Sequence, residues 1–264
     1  MVSFTKGESL IATFSKNEIL FRFGHVTFRY VSNAACFEED KRMIHSSFPS
    51  WIVSKLDRQT AIKVEAIHKP NCSLEWFSVL LQNMSLALGK DGWSIFHGGA
   101  LERAKSLFLV AGMSGAGKST VCMGLSKNGF KLLADDMIFL RFCNQSVSVI
   151  PVPKLVYSRS LLFQGVMGIP EDPSEVTFPV ERTRVLLPKF AQTYSVTPSP
   201  DLETNFRQLT AGNLFGGLAG GIDSVRCQLR VRKRLAMHHP VSQVTYSDDH
   251  ASGFSHLTRD LNLS

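Results

Sequence analysis

The chain has 264 residues, 44% of them apolar, and 29 Lys and Arg against 22 Asp and Glu give a net charge of +7. That length holds one large or two small domains with a substantial core, and a mean hydropathy of +0.03 excludes a disordered or fibrous chain. Five cysteines without a C-x-x-C pair argue against a disulfide framework and for free thiols in a reducing compartment, so a cytoplasmic protein is expected.

The first residues, MVSFTKGESLIATFSKNE, lack the apolar core of a signal peptide. No apolar run approaches the roughly 20 residues of a spanning helix, so no membrane partner is expected. A pI near 9.3 fits an acidic protein, a phosphate-rich ligand or a nucleic acid, and by itself chooses none of them.

Residues 1 to about 70 alternate short apolar runs with polar breaks: LIATF, ILFRF, VTFRYV, WIVSKL and TAIKVEAI. Their β-branched and aromatic content predicts a small antiparallel β unit, taken as residues 1–72. From 73 to 90 the period changes. Trp76, Phe77, Leu80, Leu81, Met84 and Leu88 share one helical face, with Ser73 placed to start the helix and Gly89 to end it. Ile95 to His97 and Ala100 to Leu101 then read as strands, with RAKS at 103–106 as a turn. His97 falls on a strand expected to neighbour the segment that follows. A lone strand His is ordinarily a core residue, and only that neighbourhood makes it a catalytic candidate.

That segment is LFLVAGMSGAGKST, residues 107–120. Leu107 to Ala111 reads as a buried parallel strand, and Gly112 to Ser119 fits G-x-x-x-x-G-K-[ST] without mismatch. Three glycines, Gly112, Gly115 and Gly117, let the backbone curl so that several N–H groups face a phosphate. Gly112, Met113, Ser114, Gly115, Ala116, Gly117, Lys118, Ser119 and Thr120 form the expected nucleotide-binding set. Lys118 can reach the β and γ oxygens, Ser119 can ligate Mg²⁺, and the helix from Ser119 to Lys127 adds its positive end. Gly129 is placed as its cap.

Next, FKLLADDMIFLRF predicts a strand that ends in Asp135 and Asp136, followed by another strand. Carboxylates at a strand's carboxyl edge suit Mg²⁺ and a hydroxyl proton, and the bland reading of Asp-Asp is a solvated turn. The interval from Lys118 to Asp136 is shorter than in many phosphate-loop ATPases and GTPases. A hairpin turning at Asn144 to Ser146 leads to Lys154, Arg159, Arg182 and Arg184, any of which could neutralise transition-state charge. Residues 168–205, with six prolines, predict irregular structure, and GNLFGGLAGG at 212–221 a loop. VRCQLRVRKRLAMHH at 225–239 predicts a basic helix whose stripe is Val225, Leu229, Leu235 and Met237. Its Arg226, Arg230, Arg232, Lys233 and Arg234 suit an acidic protein or peptide or a nucleic acid, and the bland reading is a solvated helix face. His238, His239, Asp248, Asp249, His250 and His256 match no zinc spacing.

Taken together, FHGGAL at 96–101, GMSGAGKST at 112–120 and KNGFKLLADD at 127–136 resemble the HPr kinase/phosphorylase family, in spacing as well as letters. PVPKLVY at 151–157 and HPVSQVTY at 239–246 resemble its related-kinase subgroup. The region VYSRSLLFQGVMGIPED lacks the Glu-containing segment of that family. The resemblance implies an α/β fold: a P-loop core like HPr kinase and phosphoenolpyruvate carboxykinase over residues 73–264, with the small β-rich unit before it. It implies ATP and Mg²⁺ as ligands, His97, Lys118 and Asp136 as catalytic residues and Ser119 at the metal; the adjacent Asp135, as the other carboxylate of the pair, is expected at the metal as well. The expected activity is transfer of the γ-phosphoryl group to a serine of a protein or peptide. A non-catalytic ATP-sensing module and a small-molecule hydroxyl kinase are the alternatives. Nucleic acid is not expected as a partner, and homo-oligomerisation is left open.

Overall fold

The computed structural model describes residues 18–23, 26–31, 38, 41–42, 62–65, 81, 84–152, 175–199, 201–211, 221–247 and 250–263. It is a mixed α/β structure with three sheets. None of its helices among the described residues is long and apolar enough to cross a membrane.

The first sheet joins β1 (Glu18–Phe23), β2 (Val26–Val31) and β3 (Ile62–Glu65) in that order. β1 and β2 are antiparallel, but β3 lies parallel to β2, with Phe28 opposite Ile62. The expectation of a purely antiparallel unit is thereby corrected. Residue alternation is the same for either direction, whereas the 30 residues between β2 and β3 exceed the dozen or so that a parallel crossover needs.

The second sheet is antiparallel, in the order β10 (Val176–Pro179), β9 (Ser146–Val152), β8 (Met137–Cys143) and β4 (Ser94–His97). The third runs β12 (Ser195–Pro198), β13 (Val241–Tyr246), β11 (Thr183–Phe190), β6 (Ser106–Val110), β5 (Gly99–Arg103) and β7 (Lys131–Ala134). Its centre, β13, β11 and β6, is parallel, and the flanking pairs are antiparallel. Residues 84–89 are helical, as expected for the end of the 73–90 segment, most of whose earlier residues lie outside the described ones, and a short 3-10 turn spans Val180–Arg182. The longer helices are α1 (Lys118–Lys127), α2 (Leu202–Ala211), α3 (Gly221–His238) and α4 (His250–Leu263).

The apolar run of β6 follows from burial on both faces. Phe108 and Val110 pack with Val121 and Leu125 of α1 and Phe254 and Leu257 of α4. Leu107 and Leu109 turn the other way, towards Ile138 and Val149 of the second sheet and Leu235 of α3. The β5–β6 hairpin closes on Ala104 and Lys105, both at positive φ (48° and 62°), the geometry of a tight two-residue turn.

Residues 168–205 are corrected most. From Glu175 onward they hold three strands, one of them central. Pro188 in β11 is tolerated for a geometric reason. Leu186 turns its carbonyl to the β6 side, accepting from Ala111 N at 2.9 Å, while Val185 donates on the β13 side to Pro240 O. By alternation Pro188 faces the β6 side, but pairing with β6 ends at Leu186 opposite Val110. The missing N–H therefore takes no bond from the β6 ladder.

Gly124, in the middle of α1, is where α4 comes closest. A Cβ there would lie 2.4 Å from the Phe254 ring. Helix propensity alone favours Gly124→Ala by roughly 1 kcal/mol. The overlap should reverse that sign, and urea unfolding should show a net destabilisation of about 1–3 kcal/mol, the usual range for overpacking.

Candidate active site

At the end of β6 the chain leaves the sheet after Ala111 and curls through residues 112–117 into α1. Gly112, Gly115 and Gly117 all carry positive φ (147°, 80° and 90°), as the motif requires. Ala116 N donates to Met113 O at 3.2 Å, and Val121 N to Gly117 O at 3.0 Å starts the helix. No side chain caps α1 and its first turn holds no acidic residue, so its leading N–H groups keep their positive end uncompensated. Above Gly115 there is open space, since a Cβ there would meet nothing within 4 Å. Met113, Ser114 and Gly115 are exposed, whereas Ser119 and Thr120 are half-buried.

Lys118 folds back over this loop. Its Nζ donates to the carbonyls of Gly112 and Met113, both at 3.1 Å, and the residue is 8% exposed. Burial pulls its pKa below the ordinary lysine value, and the negative charge of Asp136 opposes that shift.

Asp136 and His97 meet where the chain passes between the two larger sheets. One passage joins β4 to β5 through Gly98, and the other joins β7 to β8 through Asp135 and Asp136. The backbones are tied by Gly98 N donating to Asp136 O at 2.8 Å, and the side chains by His97 Nε2 to Asp136 Oδ1 at 3.2 Å. With Asp136 ionised, the imidazole is the donor. The passage is narrow. A Cβ on Gly98 would lie 2.5 Å from Val110 O, and one on Gly99 2.1 Å from Cys122 Sγ in α1. Asp135 is buried, while the side chain of Asp136 is 38% exposed, so adjacent carboxylates occupy different environments.

Tyr246, at the end of β13, is a neighbour of the loop that the motif did not identify. Its hydroxyl donates to Ala116 O at 3.3 Å, and a Cβ on Gly117 would lie 1.7 Å from the tyrosine hydroxyl oxygen. The signal present in the sequence was the resemblance of HPVSQVTY to a strand ending in Tyr. Removing this neutral hydrogen bond in Tyr246→Phe should cost about 0.5–1.5 kcal/mol in chemical denaturation, with the fold intact.

No family model matches this sequence, and no curated protein matches it. Among solved structures, the Hpr(Ser) kinase/phosphatase from Coxiella burnetii is similar at 16% identity and a TM-score of 0.31, over 64% of this chain and 97% of that one. So distant a likeness assigns no activity.

Other sequence candidates fall elsewhere. Arg182 and Arg184 sit at the start of β11, level with the beginning of β6 and away from the loop at its far end. Arg182 donates to Ala104 O and Arg184 to Leu261 O. Their suggested role at the transferring group is not supported. Lys154, Arg159, residues 212–220, and Asp248 with Asp249 lie outside the described residues. On α3, Arg232 is buried at 1% exposure and donates to Gln228 Oε1; burial lowers its pKa to about 10, so it does not belong to the basic surface. Met237 is 48% exposed, contrary to its place in the expected apolar stripe. His239 is buried and donates from Nδ1 to Thr183 O.

The loop's chemistry fits an anion of phosphate type: a buried ammonium, an uncapped helix start and open space over Gly115 belong to one eight-residue stretch. Ser119 and the Asp135–Asp136 pair are oxygen donors of the kind Mg²⁺ takes. No cluster of three or more His, Cys, Asp or Glu exists among the described residues, but Mg²⁺ bound with a phosphate ligand needs only one or two protein carboxylates.

Proposed function

We propose that this chain is an ATP-dependent phosphotransferase that moves a γ-phosphoryl group to the hydroxyl of a serine in a protein or peptide. The observation that carries the reading is the His97–Asp136 hydrogen bond at the seam beside the end of β6, the strand from which the glycine loop leaves. ATP with Mg²⁺ supplies the electrophilic phosphorus and the neutralising charge. The backbone N–H groups of Gly115 to Lys118 hold its phosphates, Lys118 turns from its loop carbonyls to the γ oxygens, and Ser119 and Asp135 are the residues that would hold the metal. Asp136 accepts the proton as the serine oxygen forms its bond to phosphorus and the bond to the ADP oxygen breaks. His97, donating to Asp136, fixes the carboxylate in place and lends positive character beside the transferring group.

A cytoplasmic location and a protein acceptor belong to the same proposal, as does a core spanning residues 73–264. The test is incubation of the full chain with γ-labelled ATP, Mg²⁺ and a host lysate, followed by acid hydrolysis of any labelled protein. Phosphoserine is the expected product. Label only on a small molecule would favour the small-molecule kinase, and bound ATP without any labelled product the nucleotide-sensing module.

A further inference from the structure

Among the described residues, four large apolar side chains are exposed, and two of them, Met113 on the loop and Phe190 at the end of β11, lie by the proposed phosphate site. Phe190 is 57% exposed. β11 runs parallel to β6, so its carboxyl end opens on the same edge of the sheet as the loop. Its neighbour there, Pro188, would be 3.9 Å from a Cβ on Gly112.

Phe190 is also held in place. Its ring packs edge-on against Tyr246, with centroids 5.8 Å apart and planes at 78°, and Tyr246 is in turn bonded to Ala116 O in the loop. The backbone beyond it is tied down by Ala191 N donating to Tyr246 O at 2.8 Å. One tyrosine therefore separates the loop from an oriented aromatic ring with open area. In open α/β sheets, ligands bind in the crevice outside the carboxyl ends of the strands. An exposed aromatic that is rigid and adjacent to a phosphate site has the chemistry to stack on a base, because every nucleobase presents a π-face.

We infer that Phe190, backed by Tyr246, is the platform on which the nucleobase of a nucleoside triphosphate stacks, with its phosphates on residues 112–119. This rests on the reading of the loop as a phosphate site, and the test separates the two. Binding of ATP and of inorganic tripolyphosphate is measured by calorimetry for the wild type, Phe190→Ala and Lys118→Ala, and Trp emission is followed in Phe190→Trp. Expected is a loss of ATP affinity of roughly five- to a hundredfold in Phe190→Ala, with tripolyphosphate affinity unchanged. Lys118→Ala should weaken both ligands. Phe190→Trp should keep ATP binding, and ATP but not tripolyphosphate should quench its added emission relative to the wild type. Phe190→Ala that binds ATP as the wild type does, or that weakens both ligands equally, overturns the platform alone. A wild type that binds neither ligand overturns the phosphate site and the platform together.

Discussion

Asp136→Asn should bind ATP with unchanged affinity and transfer its phosphoryl group about 10²–10⁴ times more slowly, the loss expected when a general base is removed. The substitution keeps the shape of the side chain and an oxygen that can accept from His97 Nε2, so the contact at 3.2 Å and the Gly98 N to Asp136 O bond have no reason to break. What disappears is the proton acceptor and the negative charge felt by Lys118. Calorimetric ATP affinity and single-turnover transfer to the labelled acceptor, measured on the same preparation, check both halves. Transfer within a few-fold of wild type would remove Asp136 from the chemistry. A normal fold and normal ATP affinity in a wild type that transfers nothing would instead identify a nucleotide sensor.

Lys118→Met should fold, lose ATP and lose transfer. Hydrogen bonds to charged groups contribute about 1.5–3 kcal/mol, so ATP affinity should fall by roughly ten- to a hundredfold. The effect on stability depends on pH. The pKa of Lys118 is lowered in the folded chain from an ordinary value of 10.5, chiefly by burial. Between the folded and unfolded values the unfolded chain binds more protons, so stability rises with pH there, while below both values the cost of the buried charge is constant. Denaturant titrations of the wild type should therefore show stability increasing as pH climbs towards 10.5, relative to Lys118→Met. Parallel pH profiles for the two proteins would show that the ammonium is not confined between Gly112 O and Met113 O in solution.

Local order in this chain is legible wherever glycines and apolar runs act on their immediate neighbours. The strand of residues 106–110, the curl at positive φ, and the helix with Gly129 beyond its end at φ 90° all follow from a few adjacent residues. So does the β8–β9 hairpin, which turns at Asn144 with φ 46°. Long-range partnership is not legible in the same way. Tyr246 reaches Ala116 across 130 residues, and the resemblance of HPVSQVTY to a strand ending in Tyr marks the residue without naming its partner. Proline counting misled over residues 175–198, because it cannot say which N–H groups a sheet needs: Pro188 occupies the place where β6 has already ended. Basic spacing misled at Arg232, whose side chain turns inward while Arg226, Arg230 and Lys233 remain exposed. The histidine and the aspartates were expected near the loop, but that His97 and Asp136 share a hydrogen bond depends on the seam between two sheets.

The most direct measurement is γ-phosphate transfer by the wild type and Asp136→Asn at saturating ATP and Mg²⁺, side by side, into lysate proteins. A phosphoserine-labelled band made by the wild type and absent with the variant is the predicted result. A band of equal intensity from both proteins, or no band from a wild type that binds ATP, would contradict it.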